Sequence, residues 1–446
     1  MNRRKMLKRN SLVRYGRTAG LLTVIIIFAN STAAIAQTDS LSINRALEIA
    51  HLHNLQLRVA ENGMQSATLS RDELLTTKLP QLSFEGSAIY APSSNHFGYD
   101  PAISNGGQFS GQIVARQSVY DGGIRNIRAN QIGVDIDLRA KEYRLAERDL
   151  RYAVKQAFIE VLRSGEEIQL EAESVGQLTD YLEKVKQLSG GGNASYTDLL
   201  KTKVQLSNAE ISYEKSRESY SLAKYTLAEL LGGTIDTAFI AVGTLNDSSS
   251  TPVDSLLQAV PDSATNLDLS LAALSIQHHQ LEVELTQQEL SPTVSVVGDA
   301  GLLTSIDNLR VPYAERAGIL GYSVGILLEI PFFNWGATNL RVQQKQRTVS
   351  DLRFQSELIR RSMISESKQI RLQLLKLRER LRSLRDNEKS AEENFLLTKS
   401  KYAGGGTLSL EVLSAQQLLT DAKLSELQAH ADIQLLSARL EQLLTP

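Results

Sequence analysis

The chain contains one pattern twice, with an offset of about 213 residues. Residues 119–123 read VYDGG, and residues 332–336, at the matching place, read FFNWG. About 70 residues after each of these segments comes a run of three glycines, at 190–192 and at 404–406. Because internal repetition sets the architecture of a fold, we predict two large and similar halves.

A very long helix is predicted in the second half. Residues 337–403 form a stretch of 67 residues without glycine or proline, and they are rich in Leu, Arg, Gln, Glu and Lys, which are good helix formers. Their apolar residues recur at spacings of three, four and seven, which marks one helical face. Such a helix would run ~100 Å, so it must pack along other long helices in a coiled-coil-like array.

The two repeats, 37–232 and 263–446, are predicted to have the same order of elements and to be joined by a connector at 233–262. Apolar and polar residues alternate over about ten positions in the strands, a pattern that also fits membrane barrel strands. The predicted strands are about 81–91, 109–120, 293–303 and 320–331. The predicted helices are about 43–78, 124–189, 196–231, 263–290, 337–403 and 408–444.

The N-terminus predicts a secretory signal peptide over residues 1–36. Seven basic residues within the first 17 positions precede a short apolar run, and Ala34 and Ala36 give a small-x-small cleavage site. A retained signal anchor is the alternative interpretation. No run of 18 apolar residues follows residue 36, so we expect the mature chain to meet a membrane only through strands or a surface.

Composition excludes several classes of function. A net charge of −2 gives no electrostatic case for binding nucleic acid. The chain has no cysteine, which excludes thiolate metal sites, cysteine nucleophiles and a lipid-modified N-terminal cysteine. The sequence has no phosphate loop, nucleophile elbow or HExxH motif, so we expect no cofactor and no enzyme.

The histidines do not predict a metal site. His51 and His53 lie two positions apart and His278 and His279 are adjacent, so neither pair shares one helix face.

Four strands are too few for a membrane-spanning structure on their own. In lipid every strand edge must be paired, so only closed barrels span, and known barrels have at least about eight strands. A membrane location therefore requires several protomers. A soluble antiparallel sheet with one wet face is the competing interpretation.

Aromatic residues cluster where strands are predicted to become helices. Phe332, Phe333 and Trp335 lie at this place in repeat two, and Tyr120 lies at the matching place in repeat one. They fit an aromatic girdle at a membrane–water interface. Packing of the strand–helix joint is the equally weighted alternative.

The chain resembles the TolC-like outer membrane efflux protein family in three places. Residues 46–55 resemble the opening helix of that family, which reads ALxxAxxxNxxL. Residues 119–123 and 330–336 resemble its paired elbows, and 402–413 resembles its tip motif, YxxGxxxxxDVLxA. The order, doubling and spacing of these motifs cover essentially the whole mature chain.

The resemblance implies a mainly helical chain with a small β part that assembles as a homotrimer. Three protomers would form a 12-stranded outer membrane barrel in contact with lipid, continuous with a 12-helix periplasmic tunnel. It also implies a passive exit duct that a periplasmic adaptor couples to an inner membrane pump. From the residues alone, a periplasmic coiled-coil structural or adaptor protein is the first rival, and a secreted hydrolase is the second.

The resemblance also implies roles at the glycine tips. Glu411 matches an acid that lines the periplasmic aperture in relatives, and Tyr402 matches a tyrosine that helps to hold it shut. Position 414 is Ser where relatives often have a second acid, and neutral Leu408 lies where a basic residue is common. Asp198 lies after the first tip, and both acids fit either a cation-favouring ring or simple helix N-terminal charges. The tips predicted to contact the adaptor contain Gly190, Gly191, Gly192, Gly404, Gly405 and Gly406.

Overall fold

The structure is a computed structural model that describes residues 40–90, 107–191, 194–233, 237–245, 253–258, 266–305 and 320–445. The predicted signal peptide, 1–36, and Gly192 lie outside the described residues.

The described chain is mainly helical, as predicted, and the two halves have the same order of principal elements. The elements of the first half are β1 (Ser40–Leu41), α1 (Ile43–His53), α2 (Leu55–Thr76), β2 (Gln81–Tyr90), β3 (Gly107–Tyr120), α3 (Ile124–Gly190) and α4 (Tyr196–Leu230). The elements that follow are β4 (Ile240–Ala241), α5 (Val253–Gln258), α6 (Leu267–Gln287), β5 (Thr293–Ser305), β6 (Leu320–Glu329), α7 (Ala337–Ala403) and α8 (Ser409–Leu444).

Asn54 divides the first predicted helix, so the prediction of one continuous helix over 43–78 is wrong. The Asn54 side chain accepts hydrogen bonds from the backbone N–H groups of Gln56 (2.9 Å) and Leu57 (3.2 Å), which caps the start of α2. Its amide nitrogen donates to the carbonyl oxygen of Leu230, 3.1 Å away at the end of α4. Asn54 therefore joins α4 to α2 end to end.

Asn266 makes the same joint in the second half. It caps α6 through the N–H of Leu269 (3.2 Å) and donates to the carbonyl oxygen of Leu443 (3.4 Å) near the end of α8. Both asparagines are buried, and their amides satisfy backbone groups that helix ends leave without a partner.

The long helices α3 and α7, 67 residues each, pack as hairpins against α4 and α8. Near the glycine tips, apolar side chains from both hairpins form one core. That core contains Leu178, Tyr181 and Val185 of α3, Ala209 of α4, Phe395 of α7, and Val412, Leu413, Ala415 and Leu419 of α8. None of the helices in the described part of the chain is both long enough and apolar enough to cross a membrane.

A small parallel pair, β1 with β4, packs midway along the hairpins. Its neighbours form a core around Phe158 and Val161 of α3, Leu227 at the end of α4, and Phe239. Leu256 of α5 packs in a separate cluster with α7 and α8. The connector predicted at 233–262 thus contains β4 and α5, which support both hairpins.

The four longer strands form one antiparallel sheet in the order β2-β3-β5-β6. Its central pair joins the two repeats, with Ile113 opposite Ala300, and each β-hairpin supplies one outer strand. At Gly301 a Cβ atom would lie 2.3 Å from the carbonyl oxygen of Gly111, so the close approach of β3 and β5 requires glycine there.

Candidate functional site

The sheet presents one almost wholly apolar face. Residues that pair across an antiparallel sheet share a face, so one row runs from Phe84 through Ile113 and Ala300 to Tyr322. Phe84 is 75% exposed and Tyr322 is 85% exposed. This face contains Leu82, Phe84, Ala88 and Tyr90 of β2, Ile113 and Ala115 of β3, Val294, Val296, Ala300 and Leu302 of β5, and Leu320, Tyr322, Val324, Ile326 and Leu328 of β6.

The opposite face is mostly polar. Hydroxyl groups of Ser87 and Ser110 hydrogen-bond across β2 and β3 at 2.8 Å, and Ser323 donates to Asp299 across β5 and β6. The other polar residues there include Gln81, Ser83 and Glu85 of β2, Gln112, Arg116 and Ser118 of β3, Ser295 of β5, and Glu329 of β6. One face therefore suits an apolar medium and the other suits water.

Both outer strands have an open edge. Among the described strands, β2 pairs only with β3, and β6 pairs only with β5. Every residue of β2 and of β6 is exposed in the protomer. A long, exposed apolar edge strand is a template for pairing with another chain.

The elbows between strand and helix adopt the same left-handed backbone in both repeats. Gly122 and Gly123 have φ values of 68° and 86°, and Trp335 and Gly336 have values of 59° and 79°. In repeat one a Cβ atom at Gly122 would lie 2.3 Å from Cβ of Ser291. Among the described residues, Trp335 is the single non-glycine residue with positive φ, a conformation that costs roughly 1–2 kcal/mol.

The aromatic residues at these elbows project from the protomer. Phe332 is 93% exposed and Trp335 is 88% exposed. Phe333 meets Trp335 edge to face at 4.7 Å between ring centroids, and Tyr120 is about half exposed. In the protomer, the side chains of Phe332 and Trp335 are therefore not buried in the strand–helix joint.

At the tips, a buried hydrogen bond connects the two hairpins. The hydroxyl group of Tyr181 on α3 donates to Oγ of Ser409 on α8 at 2.9 Å, and the two residues are 4% and 1% exposed. Burial raises the pKa of Tyr181, and the hydrogen bond to Ser409 opposes this effect without cancelling it. The phenol therefore stays neutral and donates at ordinary pH.

Tyr402 packs directly on this pair. Its ring centroid lies 5.3 Å from that of Tyr181, with the planes tilted by 56°. The Tyr402 hydroxyl is buried and makes no hydrogen bond within the described part of the protomer. Tyr402 thus lies in the tip core, in contact with Tyr181.

The two acids at the tips are held by the first turns of their own helices. Asp198 forms a capping box with Ser195, in which the Ser195 hydroxyl accepts from the N–H of Asp198 at 3.1 Å and the Asp198 carboxylate accepts from the N–H of Ser195 at 3.3 Å. Glu411 is exposed and accepts a hydrogen bond from the hydroxyl of Thr407. Both carboxylates therefore fit the interpretation as helix N-terminal charges.

The tip glycines differ in what their backbone requires. Gly405 has φ of 75°, a conformation that favours glycine. Gly190 has nothing within 4 Å of the place where a Cβ would lie, so its surface is open in the protomer. The open space leaves room for another chain to approach the backbone.

The sequence did not indicate that Tyr181 and Ser409 have a role, nor that Asn54 and Asn266 join helices. Tyr181 and Ser409 are 228 residues apart in the chain, and nothing local in the sequence indicates that they meet. Asn54 and Asn266 did carry a signal, because they occupy matching positions in the two repeats.

Comparisons with known sequences agree with this geometry. Residues 46–233 and 263–445 match the profile described as outer membrane efflux protein. The protease secretion protein PrtF of Dickeya chrysanthemi is 22% identical over 453 residues, which covers 96% of this chain and 93% of PrtF. The alkaline protease secretion protein AprF of Pseudomonas aeruginosa is 22% identical over 297 residues, covering 64% of this chain and 59% of AprF.

Solved structures share the fold of this chain. A structure of CusC aligns with a TM-score of 0.74 at 16% identity, covering 94% of this chain and 96% of CusC. The outer membrane protein VceC of Vibrio cholerae aligns with a TM-score of 0.72 at 16% identity, covering 90% of this chain and 95% of VceC.

Proposed function

This chain belongs to the outer membrane efflux protein family and is an outer membrane channel with helices in the periplasm, and we propose that it works as a homotrimeric passive exit duct. The observation that carries this proposal is the sheet, which combines a continuous apolar face with two open edges. Lipid excludes an open sheet edge.

Three copies related by a threefold axis would close the sheet. The β6 edge of one protomer would pair with the β2 edge of the next, which gives a 12-stranded barrel with the apolar face toward lipid. The polar face, with Glu85, Arg116 and Asp299, would then line a water-filled lumen. The long hairpins would extend the duct into the periplasm as a 12-helix tunnel, continuous with the barrel.

The exposed elbow aromatics fit the barrel's periplasmic interface. Phe332, Phe333, Trp335 and Tyr120 lie at the ends of strands, where amphipathic rings favour the headgroup level. These residues would fix the depth of the barrel in the outer membrane.

The tips fit a gated entrance that contacts a periplasmic adaptor. We assign Glu411, Asp198 and Tyr402 to the aperture, and the open glycine turns to the adaptor contact. In a trimer each acid would occur three times around the axis, so a carboxylate ring would favour cations. An inner membrane pump would supply the energy, because the proposed duct of helices and strands is passive.

The names of two curated relatives support one cargo class. PrtF and AprF are named for protease secretion, and PrtF matches along nearly its whole length. We therefore infer a secreted polypeptide as the cargo. Deletion of the gene should remove specific proteins from the culture supernatant, whereas an efflux duct would instead raise sensitivity to small toxic compounds.

A periplasmic coiled-coil structural or adaptor protein is the alternative. That interpretation leaves the large apolar sheet face exposed to water, which soluble monomers rarely do. A secreted hydrolase, the second rival, would show a robust turnover that a point substitution abolishes.

Location and assembly mass test the proposal. Membranes are fractionated, the outer membrane is extracted with mild detergent, and the intact complex is weighed by native mass spectrometry. A trimer confined to the outer membrane is expected, and a soluble periplasmic monomer would refute the duct. In bilayer recordings of the trimer, Glu411→Gln should lower cation selectivity, while Glu218→Gln, an exposed acid midway along α4, should leave it unchanged.

A further inference from the structure

Three potential metal ligands converge on α6, outside the tips and the sheet. His278, His279 and Glu282 each offer one ligand atom, and these atoms lie within 4.8 Å of one another. Within the described part of the chain, this is the single cluster of its kind. Adjacent histidines on a helix diverge by about 100°, but their side chains bend toward Glu282, which is four positions from one histidine and three from the other.

The expectation of no metal site considered the two histidines as a pair and did not connect Glu282 with them. Two histidines and one glutamate are a ligand set that binds zinc in proteins and leaves a coordination position open.

Each of the three side chains has an outer partner that orients it. Nδ1 of His279 lies 2.9 Å from the carbonyl oxygen of Ser275 and donates to it, which leaves Nε2 with its lone pair. The side-chain amide nitrogen of Gln131 on α3 lies 3.3 Å from Nε2 of His278 and donates to it. This Nε2 therefore also holds a lone pair, which a metal ion would bind in place of Gln131. Such partners fix the tautomer of metal-binding histidines.

The outer partner of Glu282 is a cation. Nζ of Lys345 on α7 lies 2.7 Å from Oε2 of Glu282. Lys345 therefore competes with a metal ion for the carboxylate of Glu282.

We propose that His278, His279 and Glu282 bind one zinc-class divalent transition-metal ion per protomer, in a site that Lys345 weakens by charge repulsion. Imidazole and carboxylate ligands favour this class over Mg²⁺ or Ca²⁺, which prefer sites made entirely of oxygen. The site is built by one protomer on the periplasmic helices, so it does not depend on the proposed trimer or cargo. All three ligands lie on α6, and Gln131 and Lys345 connect the site to α3 and α7.

The test uses the full chain, purified in detergent without a histidine tag, and titrates ZnCl₂ by isothermal titration calorimetry. We expect one zinc per protomer. Glu282→Gln and His279→Ala should weaken binding at least about tenfold, which matches the loss typical of altered metal environments. Lys345→Gln should instead tighten binding, because it removes the competing positive charge.

Two controls separate the site from adventitious binding. His51→Ala removes a histidine of the other pair, on α1, and should leave the affinity unchanged. With Cu²⁺ as a spectroscopic probe, electron paramagnetic resonance should show two coordinating nitrogens in the wild type and one in His278→Ala. Zinc affinity unchanged by Glu282→Gln, or not tightened by Lys345→Gln, would overturn the proposal, whether or not the protein is a trimer.

Discussion

Replacing Tyr181 with phenylalanine should loosen the tips while leaving their packing intact. The substitution keeps the ring that packs against Tyr402 and removes only the hydroxyl that donates to Ser409 at 2.9 Å. Ser409, 1% exposed, would then be buried with its bond lost. Loss of such a bond costs about 1–2 kcal/mol, so local opening of the tips should become roughly 5- to 30-fold more frequent.

Hydrogen exchange measures this opening without global unfolding. Amides at residues 400–412 of the protein in detergent are followed by mass spectrometry in Tyr181→Phe, Ser409→Ala and the double variant. Because the double variant removes both partners, its effect should be much smaller than the product of the single effects. Tyr225→Phe, at a 63% exposed position of α4, is the matched control. Independent, multiplying effects, or no acceleration in Tyr181→Phe, would refute the reasoning.

Three further outcomes are expected. Gly122→Ala should impair assembly far more than Gly123→Ala, judged by the yield of heat-modifiable oligomer on gels, because an added Cβ would lie 2.3 Å from Cβ of Ser291 at Gly122 and would meet nothing within 4 Å at Gly123. On the sheet, Val324→Arg should cost about 2–4 kcal/mol at the bilayer midplane and reduce insertion, whereas Ser323→Arg on the polar face should insert normally in the same liposome assay. Fluorescence of Trp335, the single tryptophan, should be quenched most by lipids brominated near the headgroup, and quenching greatest for deep bromines would exclude an interfacial position.

The strands were predictable because alternation reports which side chains share a face. The described strand Thr293–Ser305 begins at the first residue of the alternating segment, and Gln81–Tyr90 ends within one residue of its predicted end. The register between β3 and β5 was not predictable, since it joins residues almost 200 positions apart through backbone hydrogen bonds. Only the paired arrangement shows that the apolar sides of all four strands lie on one face.

The tips were predictable in position but not in contacts. The sequence S-x-x-D at 195–198 is a capping-box signature, so the local role of Asp198 was visible before its place in the fold. The resemblance directed attention to Tyr402, but the hydroxyl that bonds across the hairpins belongs to Tyr181. A contact between helices of different repeats depends on how the hairpins pack, which a single sequence does not encode in any local pattern.

The asparagine joints explain how two short helices together match the length of one long helix. At about 1.5 Å per residue, α3 runs ~100 Å, while α4 and α2, with 35 and 22 residues, together run roughly 86 Å. Neither short helix matches the long one, but stacked at Asn54 they nearly do, and the same holds for α8 and α6 at Asn266. The two asparagines therefore keep α2 in line with α4, and α6 in line with α8, so that each pair packs along nearly the full length of a long helix.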